Sequence, residues 1–180
     1  MINTQTGLKK FDAVFMFCGK IASVCNILLV FILVLDVILR YFFFHSEAWL
    51  TELEWHIFAL IFLIGGAYTF HYDGHVRVDL IYNNLSKKVQ AWINLLGTAV
   101  FLIPWTYIVI RSSYKYAMYS WAINEGSADP GGLAMRYLIK FAVVLAFVIL
   151  LCYACLLIWK CILVIRGKDI SLFHSSNTSA

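Results

Sequence analysis

The sequence predicts an all-α fold, a polytopic integral membrane protein with four transmembrane helices and both termini cytoplasmic. Of its 180 residues 62% are hydrophobic and 13% charged, and the mean hydropathy of +0.82 lies outside the usual range of a soluble domain. The apolar residues gather in four stretches, Ile21–Leu39, Trp55–Phe70, Val89–Ile110 and Tyr137–Ile165. Each has about the 17–25 residues that a helix needs to cross the hydrocarbon core, or reaches that length with its flanks. The lysines and arginines collect in those flanks, more on one side than on the other.

The first span, about 21–39, follows Lys9, Lys10 and Lys20. Cations ahead of an apolar run resemble a signal peptide. This run is too long, however, and leads into Arg40-Tyr41-Phe42-Phe43-Phe44 without a small-residue cleavage site, so it reads as a retained anchor. The second span, about 53–71, opens after Trp49 with Glu52, Glu54 and His56 crowded at its start. The third, about 89–110, holds Pro104, which predicts a kink. Past Ile110 it continues into an interface carrying Tyr114, Tyr116, Tyr119 and Trp121, which with Tyr41–Phe44 and Trp49 form an aromatic belt. The fourth span covers about 137–160. Residues 1–165 therefore read as one membrane domain and 166–180 as a polar cytoplasmic tail, with no room for a soluble catalytic domain.

Orientation follows from the flanking cations. Four crossings put both termini and the middle connection on one side, with Lys9, Lys10, Lys20, Arg77, Lys87, Lys88, Lys160, Arg166 and Lys168, nine in all. The other side has five, Arg40, Arg111, Lys115, Arg136 and Lys140. The pI of about 8.8 reflects these flanks. Nucleic-acid binding would need a clustered basic patch, which the sequence lacks.

Few residues carry chemistry. Cys152 and Cys155 have redox spacing but lie mid-span in an apolar run, where a thiolate is disfavoured. They read, with Cys18, Cys25 and Cys161, as small packing residues. A haem needs histidines on two helices at matching depth, and only His56 lies well within a span, so haem would have to be shared with a partner subunit. His71 and His75 are spaced to grip a metal on a continuous helix, but Gly74 reads as a helix end that would turn them apart. No metal or other cofactor is therefore expected.

The polar residues near span ends remain. Asp36 and Arg40 share a helix face and are spaced to form an ion pair; charges so close to hydrocarbon face each other or a protein partner, the alternative being that Arg40 snorkels to the headgroups, which leaves Asp36 unexplained. Glu52 and Glu54 suit the dipole of a helix start, and Glu52 is also spaced to meet His56. Arg136 and Lys140 are cations at a helix start, on the side that should be depleted of them. Either Glu125 and Asp129 of the preceding loop neutralise them, or an acidic partner or lipid headgroup does. That loop, Asn124–Gly132, is rich in turn formers and lacks phosphate-binding spacing.

In chain order the signals are Arg40-Tyr41-Phe42 closing the first span, Trp49 and Glu52 opening the second, and Gly65-Gly66 within it. His75-Val76-Arg77-Val78-Asp79 follows, and the Glu125–Gly132 loop precedes the fourth span. On a four-helix chain of this length the series resembles the small membrane subunit of tripartite ATP-independent periplasmic (TRAP) transporters, the DctQ-like family. The similarity covers roughly Phe11 to Arg166, and its most distinctive stretch is the one from His75 to Asp79.

This resemblance implies a non-enzymatic scaffold in the bacterial inner membrane. A periplasmic binding protein would deliver an organic acid, and a large membrane subunit would hold the substrate and sodium sites for symport. The small subunit would steady that partner in the lipid bilayer and add to the docking surface. It makes Asp36, Arg40, Trp49, Glu52, Glu54, His75, Arg77 and Asp79 subunit-interface candidates, and Glu125, Asp129, Arg136 and Lys140 docking candidates. The residues agree with such a role: charges lie mostly near span ends, whereas a transport pathway usually has polar groups or broken helices at mid-membrane. Gly65, Gly66 and Ala67, with Gly97, Thr98 and Ala99, permit close helix packing. The competing readings are a membrane anchor of a redox, cytochrome-type complex and an autonomous small transporter or membrane enzyme.

Overall fold

The computed structural model describes residues 2–71, 82 and 84–168. Its helices are α1 (Ile2–Phe42), α2 (Ala48–His71), α3 (Lys87–Gly97), α4 (Ile103–Ala122) and α5 (Tyr137–Ile165), with a π-helical turn, Thr98–Leu102, joining α3 to α4. Among the described residues four stretches are long and apolar enough to cross a membrane: Ala13–Phe42, Ala48–Gly66, Lys87–Ala122 and Tyr137–Ile165. The α1–α2 connection (43–47) and the α4–α5 connection (123–136) lie at one end of the bundle, called here the loop end.

The helices outrun the apolar stretches, because backbone hydrogen bonding does not stop where hydrocarbon does. α1 begins far before Ile21, α2 begins at Ala48 and so places Glu52 in its second turn, and α5 continues through Lys160 to Ile165. The third crossing reaches Ala122, carrying its interfacial aromatics on α4. Pro104 has no N–H for the carbonyl four residues back. The wider π turn just before it takes up that mismatch within a continuous helical path, and the Thr106 hydroxyl donates to the carbonyls of Leu102 (2.8 Å) and Ile103 (2.9 Å).

α5 is the central helix. Its apolar window is 28% buried within the chain, against 11%, 17% and 11% for the others. It packs against α2 on one side and α3 and α4 on the other, while α1 lies mainly on α2. One apolar cluster joins Phe15, Ala91, Tyr153, Leu157, Cys161 and Val164, with the Phe15 and Tyr153 rings edge to face at 5.3 Å. A second, Ile32, Leu50 and Ile57, closes α1 on α2 nearer the loop end.

Close approach of α1 and α2 depends on a glycine that sequence reading passes over. A methyl at Gly19 would clash with the Tyr68 ring, 2.5 Å from its nearest carbon. At Gly65 a Cβ would stand 3.7 Å from that of Ala22, an ordinary contact, whereas Gly66 and Gly97 face open space.

Helix ends shape the loop end. α4 closes in a Schellman motif: the amides of Asn124 and Glu125 donate to the carbonyls of Trp121 (2.9 Å) and Ser120 (3.0 Å), with Asn124 at φ 49°. α1 ends with Phe44 at φ 52° and the His45 amide on the Leu39 carbonyl (3.1 Å).

Candidate functional site

The polar residues at the loop end separate into two groups, and α2 contributes a carboxylate to each. Glu52 and Glu54 are two residues apart, which on an α-helix is about 200° of rotation. Glu52 consequently faces the 123–136 loop and Glu54 faces α1.

The loop is folded by its own sequence. Asp129-Pro130-Gly131-Gly132 forms a turn closed by the Gly132 amide on the Asp129 carbonyl (3.0 Å), with proline at the second position and Gly131 at φ 78° at the third. The Ser127 amide donates across the turn to the Leu133 carbonyl (3.0 Å), and the Arg136 amide returns to the Glu125 carbonyl (3.0 Å). Met135, at φ 63°, redirects the chain into α5. A side chain rarely adopts that conformation unless its surroundings enforce it.

Glu52 supplies the enforcement. It is 4% exposed, and its carboxylate accepts hydrogen bonds from the Ser127 hydroxyl and, at 2.6 Å, from the Leu133 amide. The Arg136 guanidinium stands 3.9 Å away and lies over the Trp55 ring, 5.6 Å from its centroid. Ser127 is occupied twice, since its oxygen also accepts from the Asp129 amide at 3.0 Å. A Cβ on Gly132 would collide with the Ser127 side chain and crowd Glu52, so the loop closes over the carboxylate only with glycine there.

On the far side of the loop the Lys140 ammonium bonds Glu125 at 2.5 Å and lies 3.8 Å from the centroid of the Tyr116 ring. That hydrogen-bonded ammonium holds the Glu125 carboxyl below the usual carboxylate range. Trp121 of α4 packs on Tyr137 and Phe141 of α5 beneath the loop. Both cations that open the fourth crossing are thus engaged with acids of this chain, Lys140 with Glu125 and Arg136 with Glu52. Asp129 is exposed at the turn, and the Glu47 carboxylate lies near Gly131.

The second group lies between α1 and α2. Asp36 is six positions before the end of α1 and Glu54 six after the start of α2, so both sit about 9 Å below the connecting turn. Asp36, 5% exposed, is bonded to Arg40 at 2.7 Å, and Glu54 feels both charges. One oxygen of each carboxylate, Asp36 Oδ1 and Glu54 Oε1, is buried and has no hydrogen-bond partner among the described residues. Trp49, in the first turn of α2, is 41% exposed.

The residues that reach Glu52 are mostly ones that sequence reading did not single out. Leu133 acts through its amide, which no side-chain pattern reveals, and Ser127 is one of several turn formers. His56 hydrogen-bonds the Glu52 backbone carbonyl through Nδ1 at 2.5 Å instead of meeting the carboxylate. His75, Arg77 and Asp79 lie outside the described residues. Among the described residues no three histidine, cysteine, aspartate or glutamate side chains come together to hold a metal ion.

No curated protein matches the sequence. The family of tripartite ATP-independent periplasmic transporters, DctQ component, matches residues 29–167, well over half of the chain and all of the loop end. The protein therefore belongs to the DctQ family, as an inner-membrane component of a TRAP transporter and not an enzyme.

Proposed function

We propose that the chain is the small scaffold subunit of a TRAP-type secondary transporter. It packs against the large transport subunit, which takes up an organic acid with sodium after a periplasmic binding protein delivers it. Both termini are cytoplasmic in this reading, so the loop end faces the periplasm. Asp36, Arg40, Trp49 and Glu54 then lie where the large subunit contacts the outer half of α1 and α2. Glu52, Glu125, Arg136 and Lys140 hold the shape of the docking platform, and Asp129 at the turn meets the binding protein. His75, Arg77 and Asp79 belong to cytoplasmic contacts.

The observation that carries this reading is the closure of the 123–136 loop onto Glu52 and Lys140. Five polar side chains, Glu52, Glu125, Ser127, Arg136 and Lys140, are engaged in fixing the loop. A fixed loop suits a docking platform, whereas a transport route needs polar groups that change partners. A cleft near Thr98 is lined mostly by apolar residues.

The test is purification of the tagged chain from its native membrane in mild detergent, with mass spectrometry of partners and an absorbance scan. Recovery of a large multi-span protein without a Soret band is the expected result. A haem spectrum, or recovery of the chain alone with transport activity in liposomes, contradicts it.

A further inference from the structure

The seam between α1 and α2 is apolar except at one level. Leu29, Ile32 and Leu39 of α1 meet Leu50, Ile57 and Ile61 of α2 along it, at the three- and four-residue steps of one helix face. Asp36 and Glu54 fall on the same two stripes, so the spacing that builds the seam also brings two carboxylates into it. An apolar side chain at position 54 would continue the packing, whereas a carboxylate there loses its hydration. Packing within this chain therefore does not account for Glu54.

The charges at this level do not balance. Asp36 and Glu54 carry two negative charges and Arg40 one positive, and Arg40 is already bonded to Asp36 Oδ2 at 2.7 Å. Glu54 lies within electrostatic reach of both. Asp36 is 5% exposed, yet among the described residues its Oδ1 has no hydrogen-bond partner, and neither has the buried Oε1 of Glu54. What is missing is one positive charge that carries hydrogen-bond donors.

The margin of the seam is open to such a group, because the Arg40 side chain is 50% exposed and Glu54 is only half-buried. A bare metal ion would need more oxygen ligands than two carboxylates leave free, and among the described residues no third acid, histidine or cysteine joins them. A phospholipid headgroup brings a phosphate, which the excess negative charge repels. A basic side chain on a neighbouring membrane helix brings the charge and the donors together. Alone in hydrocarbon it is as costly as Glu54, and pairing offsets the cost of each.

We infer that Asp36 and Glu54 accept one basic side chain from a membrane-spanning helix of the large subunit, arginine fitting best because its planar guanidinium can serve both carboxylates. This rests on the reading that a large subunit covers the outer half of α1 and α2, and adds the chemistry by which it does so.

The experiment uses the complex purified from native membranes in mild detergent through a tag on this chain. Glu54→Gln should lower recovery of the large subunit roughly 30-fold or more, the lower end for a buried charge pair that loses one member, and Glu54→Lys should lower it further. A photoreactive phenylalanine derivative in place of Phe58 leaves the acid intact, one turn from Glu54 on the same face and 62% exposed. Irradiated in the membrane before purification, it should crosslink to a partner segment that holds an arginine or lysine. Exchanging that residue for glutamate should restore recovery of the Glu54→Lys variant. A crosslink to lipid alone, or to a segment without a basic residue, overturns the inference. So does equal recovery by wild type and Glu54→Gln, which would mean that a proton or a water molecule closes the pair within this chain. Recovery by the wild type judges the broader reading separately: the chain alone contradicts both, whereas a large subunit retained undiminished by Glu54→Gln contradicts only the inference.

Discussion

Glu52 and Glu54 face opposite sides of α2 though only two residues apart in sequence. Glu52 has the Ser127 hydroxyl, the Leu133 amide and the Arg136 guanidinium around it. Among the described residues Glu54 keeps a buried oxygen without a partner, beside an Asp36 whose own cation, Arg40, is already engaged. The first is a finished contact within the chain. The second is an unfinished one, at the face where our reading places the large subunit. In our reading, identical side chains at the start of one helix thus serve internal architecture or assembly according to the face each occupies.

The largest effect should come from Glu52→Ala. It leaves the Leu133 amide, the Ser127 hydroxyl and Arg136 without their shared acceptor, and a buried donor without a partner is costly. We expect the 123–136 loop to become accessible to limited proteolysis in membranes while the four crossings remain. A loop as resistant as in the wild type would remove Glu52 from its assigned place.

Gly132→Val attacks the same contact from the loop side, because its Cβ would meet Ser127 and Glu52. Overpacking of this kind costs about 1–3 kcal/mol, so the thermal unfolding midpoint should fall, by less than for Glu52→Ala. Gly66→Ala, at a position with open space, serves as the control that should leave it unchanged.

A pH titration sharpens the role of the second anchor. Lys140 holds the Glu125 carboxyl below its ordinary range, so the folded loop binds that proton less readily than the unfolded one. The stabilisation from this pair is then fully present above the ordinary glutamate range and is lost as pH falls through the depressed value. Tryptophan fluorescence from Trp121, beneath the loop, should report loosening only on acidification, and Glu125→Gln should remove that part of the response.

Glu54→Gln should have the smallest effect on the isolated chain, less than about 1 kcal/mol in either direction, because it removes a charge whose Oε1 has no partner among the described residues. In the assembled complex the same change should weaken co-purification of the large subunit. Equal recovery would place Glu54 outside that interface.

How much of this was legible in the sequence depends on which physical term decides each feature. The four crossings are set by hydropathy and length, which a sequence states outright. Membership in a TRAP small-subunit family was legible in the ordered motifs from Arg40 to Gly132, and the family match to 29–167 agrees. Helix limits were less legible: polar flanks such as Lys20 are good helix formers, so α1 extends through them. The Asp36–Arg40 pair was legible because both partners share one helix at a four-residue spacing. The Glu52 contact was not, since it joins positions 75 and 81 residues apart and relies on a backbone amide. Gly19 was missed for the same reason: its neighbour Tyr68 comes from another helix.

The central structural claim is that Glu52 fixes the loop that our reading makes the docking platform. Hydrogen exchange of the 123–136 backbone amides, in the purified complex with Glu52 intact and as Glu52→Gln, tests it most directly. The account predicts that the Leu133 amide is protected in the wild type and loses roughly tenfold or more of that protection in the variant, with the α4 amides unchanged. Equal exchange at Leu133 in the two proteins would contradict it.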